Sequence, residues 1–565
     1  MIVSNDYIAE QFSLLSKLMD IHGENSFKIK SYSIAAFTIE KLPHPLTEMP
    51  PETFTSIKGI GDAIGKKIQE IIATGELRLL REYIERTPPG IIDMLGIKGI
   101  GPKKIATIWK EMEIESIGEL LYACQENRLL LYKGFGEKTQ ASVRASIEFF
   151  LKSQGSHLYS EVVSYARGIQ AQLATNFPTA QLALTGPFRR QMEIIDSLQW
   201  VTTTDPAALQ QFFGANGFLP VEDPLTSPTP NLQHNSFKGP EGILLEFIHT
   251  TPAAFSGALF NSSASPEFLT AWQQRTKEDP SRSYASEEAI FETNKIHFIP
   301  PYLREEPAIL ERAAKAPLPP VIQTGDIRSI IHSHSNWSDG SNTLEEMAKA
   351  CMEKGFEYLV ISDHSKSAFY ANGLKEDRII EQHRQIEELN RQLAPFVIFR
   401  SIECDILNDG ALDYSDAILS TFDLVIASVH SNLKMTEDKA MMRLLRAIAN
   451  PYTTILGHLT GRLLLSRPGY PVDHKTIIDA CAEHKVVIEL NAHPRRLDMD
   501  WRWIGYALEK GVLISIDPDA HSTEGYNDIR YGVLAAQKAG LTPDRNLSSF
   551  TLEQFRFFLG EKRKF

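Results

Sequence analysis

The sequence predicts a multidomain protein with an all-α N-terminal region, an α+β middle region and a C-terminal distorted (βα)7 barrel. Three observations lead there. At 565 residues the chain exceeds the roughly 250–300 residues at which a single hydrophobic core stops growing. Its apolar spacing is helical over residues 1–155, mixed over 156–315 and regularly strand–helix alternating from 326 onward. A proline-rich stretch, AKAPLPPVIQTG, separates the second regime from the third as a stiff linker would, with 316–325 as its span.

Composition excludes several classes. With 43% hydrophobic and 23% charged residues the chain is globular rather than collagen-like, coiled-coil or extensively disordered. No apolar run approaches the roughly 18–20 residues that cross a bilayer, and MIVSNDYIAEQF lacks a basic-then-apolar leader, so a cytoplasmic protein without membrane association is expected. Cys124, Cys351, Cys404 and Cys481 are widely spaced with no CxxC pair, which points to reduced, buried thiols. The net charge of −13 opposes global nucleic-acid binding, but it is unevenly spread. Residues 1–155 hold 19 Lys and Arg against 20 Asp and Glu, residues 156–320 hold 11 against 17, and residues 321–565 hold 28 against 34. Only the first region is nearly neutral.

That region reads as helices broken by short glycine turns, as in IAEQFSLLSKLMDIHG and AIGKKIQEIIATGELRLLREYIE. Three segments share one pattern: SIKGIGDAIGKKI at 56–68, LGIKGIGPKKIATI at 95–108 and LYKGFGEKTQASV at 131–143. Each places a Gly-x-Gly turn (Gly59/Gly61, Gly99/Gly101, Gly134/Gly136) before a helix carrying Lys66, Lys67, Lys103, Lys104 or Lys138. Both glycines of each turn are expected to take backbone angles that other residues resist, and the exposed amides opening the next helix suit a phosphate. An ordinary packing turn explains one copy better than three. The pattern resembles the helix-hairpin-helix motif that grips DNA backbones.

Two such hairpins after an N-terminal helical segment resemble family X DNA polymerases, which implies a lyase-like domain at 1–83 and a fingers-like domain at 84–155. The family's Schiff-base lysine falls on Lys67, where neighbouring Lys66 would lower the amine's pKa. The competing reading is a solvated lysine or a phosphate contact. The resemblance then implies a palm and thumb over 156–315. Gly186-Pro187-Phe188-Arg189-Arg190 matches the palm's opening, but the paired aspartates of the family fall on Ser197 and Gln199, with Asp196 one residue early. The third carboxylate position keeps Glu246, and Asn261-Ser262-Ser263 stands where the thumb's Thr-Gly-Ser turn belongs. Two-metal nucleotidyl transfer needs more carboxylates than one, so a degenerate palm is expected, with an active polymerase as the alternative.

From 326 to 565, seven apolar runs recur at intervals that admit helices between them: SIIHSH, EYLVISDH, VIFRSIECD, DLVIASVH, TTILGHL, VVIELNAH and VLISIDPDAH. At or near their ends stand His332, His334, Asp339, His364, Glu403, His430, His458, Asp519 and His521. A βα barrel gathers strand ends on one face, so nine imidazole and carboxylate donors should converge. Such a set suits Mn2+, Zn2+ or Fe2+ and is too large for one ion.

The order HxH, Asp, DH, Glu, His, His, DxH resembles the polymerase and histidinol phosphatase (PHP) domain. That likeness implies three divalent metals, Mn2+ foremost: one on His332, His334, Glu403 and Asp519, one on Glu403, His430 and His458, and one on Asp339, His364 and His521. Glu403 would bridge two. Asp363 and Asp517 are candidates for orienting imidazoles or capping loops, and Arg462 for clamping a substrate phosphate or ending a helix. ELNAHPRRLD resembles the polymerase-fused subgroup, with His493 where an Asn is common. A metal-dependent phosphoesterase acting on gapped or damaged DNA ends, as 3′–5′ exonuclease or 3′-phosphoesterase, is implied. A phosphatase for a small phosphomonoester such as histidinol phosphate is the alternative.

Overall fold

The structure, a computed structural model, describes residues 4–40, 42, 44–97, 99–152, 155–221, 234–239, 242–277 and 282–562. Residues 222–233 of the loop-like stretch EDPLTSPTPNLQHNS lie outside them. The chain forms two compact units, one of Met1–Gln125 with Leu129–Phe150 and one of Glu126–Arg128 with Leu151–Phe565.

The first unit is helical throughout its described residues. Its opening helix, Asn5–His22, begins where the Ser4 side chain accepts from the Tyr7 amide and ends at Gly23, whose φ of +81° closes the last turn. Ile8, Phe12, Leu15 and Met19 line its buried stripe. The three glycine turns repeat in three dimensions. Gly59, Gly99 and Gly134 have φ of +93°, +95° and +96°. In each copy the residue after that glycine donates its amide three residues back: Ile60 to Ile57, Ile100 to Ile97 and Phe135 to Tyr132. Ile60, Ile100 and Phe135 are buried, so the middle residue pins every turn to the core while the second glycine opens a helix. Those helices are Asp62–Thr74, Pro102–Lys110 and Glu137–Lys152.

The second glycines correct one expectation. Gly61 and Gly101 have φ of −90° and −97°, extended backbone open to any residue, and Gly136 is not left-handed either. Only the first glycine of each turn therefore needs glycine's freedom. Gly61, Gly101 and Gly136 are exposed, and a Cβ on any of them would meet nothing within 4 Å. Their contribution is to leave the helix-opening amides uncovered, since a helix start has unpaired N–H groups and no side chain here shields them.

The second unit begins with seven strands: β1 (His157–Leu158), β2 (Leu182–Thr185), β3 (Ile194–Ile195), β4 (Ser197–Thr202), β5 (Leu219–Val221), β6 (His234–Lys238) and β7 (Leu244–His249). β1 and β3 pair antiparallel, and the others form one sheet in the order β2-β4-β7-β6-β5. Helices Tyr159–Asn176 and Pro206–Ala215 pack on it around Trp200, Phe213, Phe237 and Phe247. β4 and β7 run parallel in a register that sets Gln199 opposite Glu246. A separate helical core occupies 255–315, built on Phe260, Phe268, Trp272 and Phe291. The proline-rich stretch after it is docked rather than free, since Ile322 is fully buried and donates its amide to Leu541.

The rest is a parallel barrel of β8 (Ser329–Ile330), β9 (Tyr358–Ile361), β10 (Val397–Arg400), β11 (Glu403–Asp405), β12 (Val425–Ser428), β13 (Thr453–Leu456), β14 (Val487–Asn491) and β15 (Ile514–Asp517). β10 and β11 are halves of one run interrupted at Ser401–Ile402, so the strands number seven as the sequence predicts. They lie in two sheets, β10-β9-β8 and β11-β12-β13-β14-β15. Bridges between His364 and Glu403 and between Ser333 and Ala520 join the sheets at both seams. The distortion therefore falls at the seams, and both seams carry predicted donors or their neighbours. The strands are buried on both faces, as parallel strands covered by helices must be.

Candidate metal centre

Six of the seven strand ends, all but that of β14, bring the nine predicted donors together. His332 and His334 leave β8 on alternate residues, Asp339 lies in the loop after them, and His364 follows β9. Glu403 opens β11, His430 and His458 follow β12 and β13, and Asp519 and His521 follow β15. Asp519 has a φ of +51°, a left-handed backbone that Asp tolerates better than most residues. It turns the chain so that both Asp519 and His521 face the centre.

Glu403 is the hub. Its two oxygens lie 3.5 Å from His332 Nε2, 3.6 Å from His334 Nε2, 3.0 Å from His364 Nδ1, 3.0 Å from His430 Nε2 and 2.9 Å from His458 Nε2. His334 Nε2 is 3.1 Å from Asp519 Oδ1, and its other nitrogen is 3.9 Å from Asp339 Oδ1. Asp339 in turn lies 3.5 Å from both His364 Nε2 and His521 Nε2. Donors sharing an ion at about 2.1 Å should stand roughly 3–3.5 Å apart, which is the spacing found here.

Among the described residues, three groups of donor atoms are tight enough to hold a cation: His334, Asp339, His364 and His521; His332, His334, Glu403 and Asp519; and His364, Glu403 and His430. His334 and His364 thus each belong to two groups, a sharing that the three-way division made from the sequence does not contain. His458 enters through Glu403 Oε1, which also meets His430. Inside this space His332 Nε2, His334 Nδ1, Asp339 Oδ2, Glu403 Oε2 and His521 Nε2 are buried without a hydrogen-bond partner. Each orphaned polar atom costs about 1–3 kcal/mol, and divalent cations would satisfy all of them. The residues fit metal ions.

Electrostatics divide the donors: against burial, the facing carboxylates raise His332, His364, His430 and His521, so these rings hold protons that a cation must displace. Burial pushes Glu403 up, but the imidazoles of His430, His332 and His364 hold it well below the usual carboxylate range. Asp339 and Asp519 behave likewise beside their own imidazoles. Burial, reinforced by His521 and His364, lowers His334 to about 4, and burial with Arg496 lowers His458 to about 3. Both rings are therefore neutral at physiological pH, the state that ligates.

Several supporting residues were not legible in the sequence. Glu489 accepts from His332 Nδ1 at 2.6 Å and from the His458 amide at 3.2 Å, and Asp405 accepts from His430 Nδ1. These carboxylates fix the tautomers that aim each Nε2 at Glu403. Asn491 links Glu489 to Asp519, at 3.0 Å to each. A signal was present: Glu403 with Asp405, and Glu489 with Asn491, are spaced two apart in strands, which puts each pair on one face.

Two expectations change. Asp363 orients no imidazole; it accepts from the amides and hydroxyls of Ser335 and Ser338 and from Gln382, holding the loop that carries Asp339. Arg462 is spent on structure, donating to Asp500 at 2.5 Å and to the carbonyls of Arg496 and Leu497. Asp517 accepts from Ser515 within β15, and burial beside Glu489 raises its carboxyl well above the ordinary range. All four cysteines are free and buried.

The palm positions Ser197, Gln199 and Glu246 also meet. Glu246 Oε2 accepts from Ser197 Oγ at 2.6 Å and from Gln199 Nε2 at 2.8 Å, so this carboxylate is engaged by both facing side chains. Arg189 donates to Ser263 and Glu287, and Thr185 bonds Ser262 and Ser263. On the hairpin helices Lys66, Lys103 and Lys138 are exposed, Lys67 is half-buried, and Lys104 lies over the Phe135 ring at 5.6 Å. No helix among the described residues is long and apolar enough to cross a membrane.

Fold and site together define a helix-hairpin-helix protein that carries a PHP-type metal barrel. Residues 3–77 match the helix-hairpin-helix domain, 91–147 the SAM-like helix-hairpin-helix tandem and 331–493 the PHP domain. The DNA polymerase/3′-5′ exonuclease PolX of Bacillus subtilis (strain 168) is 30% identical over 562 residues, 96% of each chain. The chain belongs to the PolX-like branch of family X DNA polymerases. Part of the chain is also similar to the probable phosphatase TTE1963 of Caldanaerobacter subterraneus subsp. tengcongensis, 27% identical over 41% of this chain and 91% of that protein. The probable phosphatase YcdX of Escherichia coli O81 (strain ED1a) is 26% identical over 39% of this chain and 88% of its own.

Proposed function

We propose that the barrel is a metal-dependent phosphoesterase acting on DNA 3′ ends, as a 3′–5′ exonuclease or 3′-phosphoesterase, and that nucleotide addition at the palm has been lost. The observation that carries this is Glu403, one buried carboxylate within 3.6 Å of five imidazoles. Bound divalent ions, Mn2+ ahead of Zn2+ or Fe2+, supply a nucleophile from water and Lewis-acid polarisation of the phosphoryl oxygens. The chain's own residues do the rest. Glu489 and Asp405 hold His332 and His430 with Nδ1 protonated, and the neutral rings of His334 and His458 offer lone pairs without a proton to lose. In the palm one carboxylate stands where three are needed, and it is occupied by Ser197 and Gln199. The three hairpins supply the grip on DNA that this substrate requires, with the amides after Gly61, Gly101 and Gly136 and with Lys66, Lys67, Lys103, Lys104 and Lys138 toward phosphate. Lys67 serves as a phosphate contact on this reading, and a Schiff base trapped there with borohydride on abasic DNA would show a lyase instead.

The test is full-length protein reconstituted with Mn2+ and incubated with labelled gapped and 3′-phosphate DNA, with and without nucleotides. Primer shortening without extension is expected, and His334→Ala should remove it. Unaltered primers with metal-loaded enzyme would overturn the nuclease. The similarity of part of the chain to probable phosphatases favours one second reading, which phosphate release from a small phosphomonoester with intact DNA would establish. Templated extension lost on Glu246→Ala would show an active palm.

A further inference from the structure

The nine donor side chains are at most 9% exposed. A phosphoryl group that reaches them enters a closed centre, and the rest of its substrate stays at the rim, on the loops that follow the strands. Contacts to phosphate position a nucleic acid but carry no information about its bases. Whatever recognises a base must therefore stand on those loops.

The loop from His364 to Leu374, after β9, is closed on itself. The Leu374 amide donates to the His364 carbonyl at 2.9 Å, and a Cβ on Gly373 would stand 1.9 Å from the Ser365 carbonyl oxygen. Asp413 accepts from the amide and hydroxyl of Ser367, and the Tyr414 hydroxyl accepts from the Lys366 amide at 3.1 Å while donating to the Leu374 carbonyl. On the other side Asn372 Nδ2 donates to the Trp337 carbonyl at 3.3 Å. Arg378 donates to that same carbonyl and, at 2.7 Å, to the carbonyl of Asn372, which ties the loop to the segment carrying Asp339. Ala368 and Ala371 are fully buried. Between them, on the single 3-10 turn Phe369–Ala371, Phe369 is 81% exposed, more than any other large apolar side chain among the described residues.

A lone exposed apolar residue is ordinary on a protein surface. Phe27, Phe37, Phe298 and Phe557 are exposed too, but none lies on a loop that carries a donor. Phe369 differs because its loop begins at a donor, is pinned at both ends and seats its alanines in the core. A ring presented so rigidly loses little freedom on contact, and an aromatic face stacks on any base.

We propose that Phe369 is the nucleobase platform of the barrel: a base at the DNA 3′ end stacks on its ring while the neighbouring phosphate sits among the nine donors. This rests on the phosphoesterase reading above. The stack tolerates any sequence, since every base has a π-face, and it distinguishes an oligonucleotide from a phosphomonoester that has no base. The ring touches substrate but no reacting atom.

The experiment uses full-length Mn2+-loaded protein with Phe369→Ala, Phe369→Leu and Phe369→Trp. KM and kcat are read on a single-stranded oligonucleotide and on one whose last two nucleotides lack bases, and metal per chain by mass spectrometry. Ring contact is read by ultraviolet crosslinking of a 3′-terminal 5-iodouracil, which couples preferentially to stacked aromatic side chains and needs no turnover. Phe369→Ala should raise KM on the base-bearing oligonucleotide about five- to a hundredfold, with kcat, metal content and circular dichroism little changed. Phe369→Leu should lose as much, being apolar without a π-face, and Phe369→Trp should match or better the wild type. On the abasic end the wild type should fall to the level of Phe369→Ala, and the substitution should cost nothing further. The crosslink should map to Phe369. Equal KM for the wild type and Phe369→Ala, full activity in Phe369→Leu, or a crosslink elsewhere would overturn the proposal. So would a changed oligomeric state with unchanged KM in Phe369→Ala, which would make the ring a contact between copies. If the wild type crosslinked at Phe369 but left every DNA end intact, the phosphoesterase reading would fall while the platform stood; cleavage with unchanged KM in Phe369→Ala would be the reverse.

Discussion

Glu489 shows how one side chain can support a cluster of imidazoles and carboxylates that fits metal ions without belonging to the donor groups. It is fully buried in β14, accepts from His332 Nδ1, and is pushed above the carboxylate range by burial even with that imidazole beside it. Glu489→Gln keeps an acceptor for the ring while removing the charge that makes it a strong one. Metal affinity, measured by competition with a chelator, should fall about 10–100-fold, with secondary structure unchanged. By contrast His334→Ala removes a donor from two of the three groups at once and should lower bound metal by more than the loss of any singly used imidazole, as counted by mass spectrometry. The convergence of the nine positions was legible because nearly all stand at the end of an apolar run, where a polar residue needs a reason. Glu489 was not, because an acid within VVIEL reads as an interruption of a strand until the barrel shows what it faces. Arg462 misled for a related reason: its neighbourhood in sequence includes a ligand, but side-chain direction is set by the fold, which turns it to Asp500.

Among the elements, the glycine turns and the palm sheet make opposite uses of the same freedom. Gly99 has a φ of +95°, in a turn whose Ile100 is buried, so Gly99→Val should cost about 1–3 kcal/mol in urea unfolding and weaken DNA binding through the displaced amides. Lys103→Ala leaves the turn intact and should reduce the slope of log affinity against log salt by about 1, read by fluorescence anisotropy over a salt series. In the palm, Gly186 has a φ of +63°, and a Cβ there would stand 2.1 Å from Gln199 Oε1. Gln199, at a position where the family resemblance would put an aspartate, fills the space over that glycine. Gly186→Ala should therefore destabilise the sheet, and Gln199→Ala in the same chain should relieve the clash and leave about 1–2 kcal/mol of backbone cost. The repeats were legible because glycine spacing is a local property, although spacing alone does not say which glycine of each pair is left-handed. The packing of Gln199 over Gly186 is not local, since it depends on β2 and β4 pairing.

For the whole molecule, the palm, the helical segment after it and the barrel meet at one fully buried ammonium. Lys538, on a barrel helix, donates to the Arg190 carbonyl at 2.7 Å and to Glu305 at 3.0 Å, and Glu305 also pairs with Arg190 at 3.0 Å. Acidity in the middle region, −6 by residue count, is thus partly an internal matter, with Glu161, Glu193 and Glu305 each facing a barrel cation. No sequence pattern announces this, because the partners are separated by hundreds of residues. Burial lowers Lys538 to about 8, against the attraction of Glu305. In the unfolded chain a lysine titrates near 10.4. Between those two values the folded protein has released a proton that the unfolded chain still holds, so stability rises with pH across that window, by about 3 kcal/mol at most. Below pH 8 both states are charged and the full desolvation cost is present. Lys538→Met removes the titration, so the melting temperature of the wild type relative to this variant should climb from pH 8 to 10 and be flat from pH 6 to 7.5. A difference constant across both ranges would mean that the ammonium is solvated and that the junction between palm and barrel is looser than described.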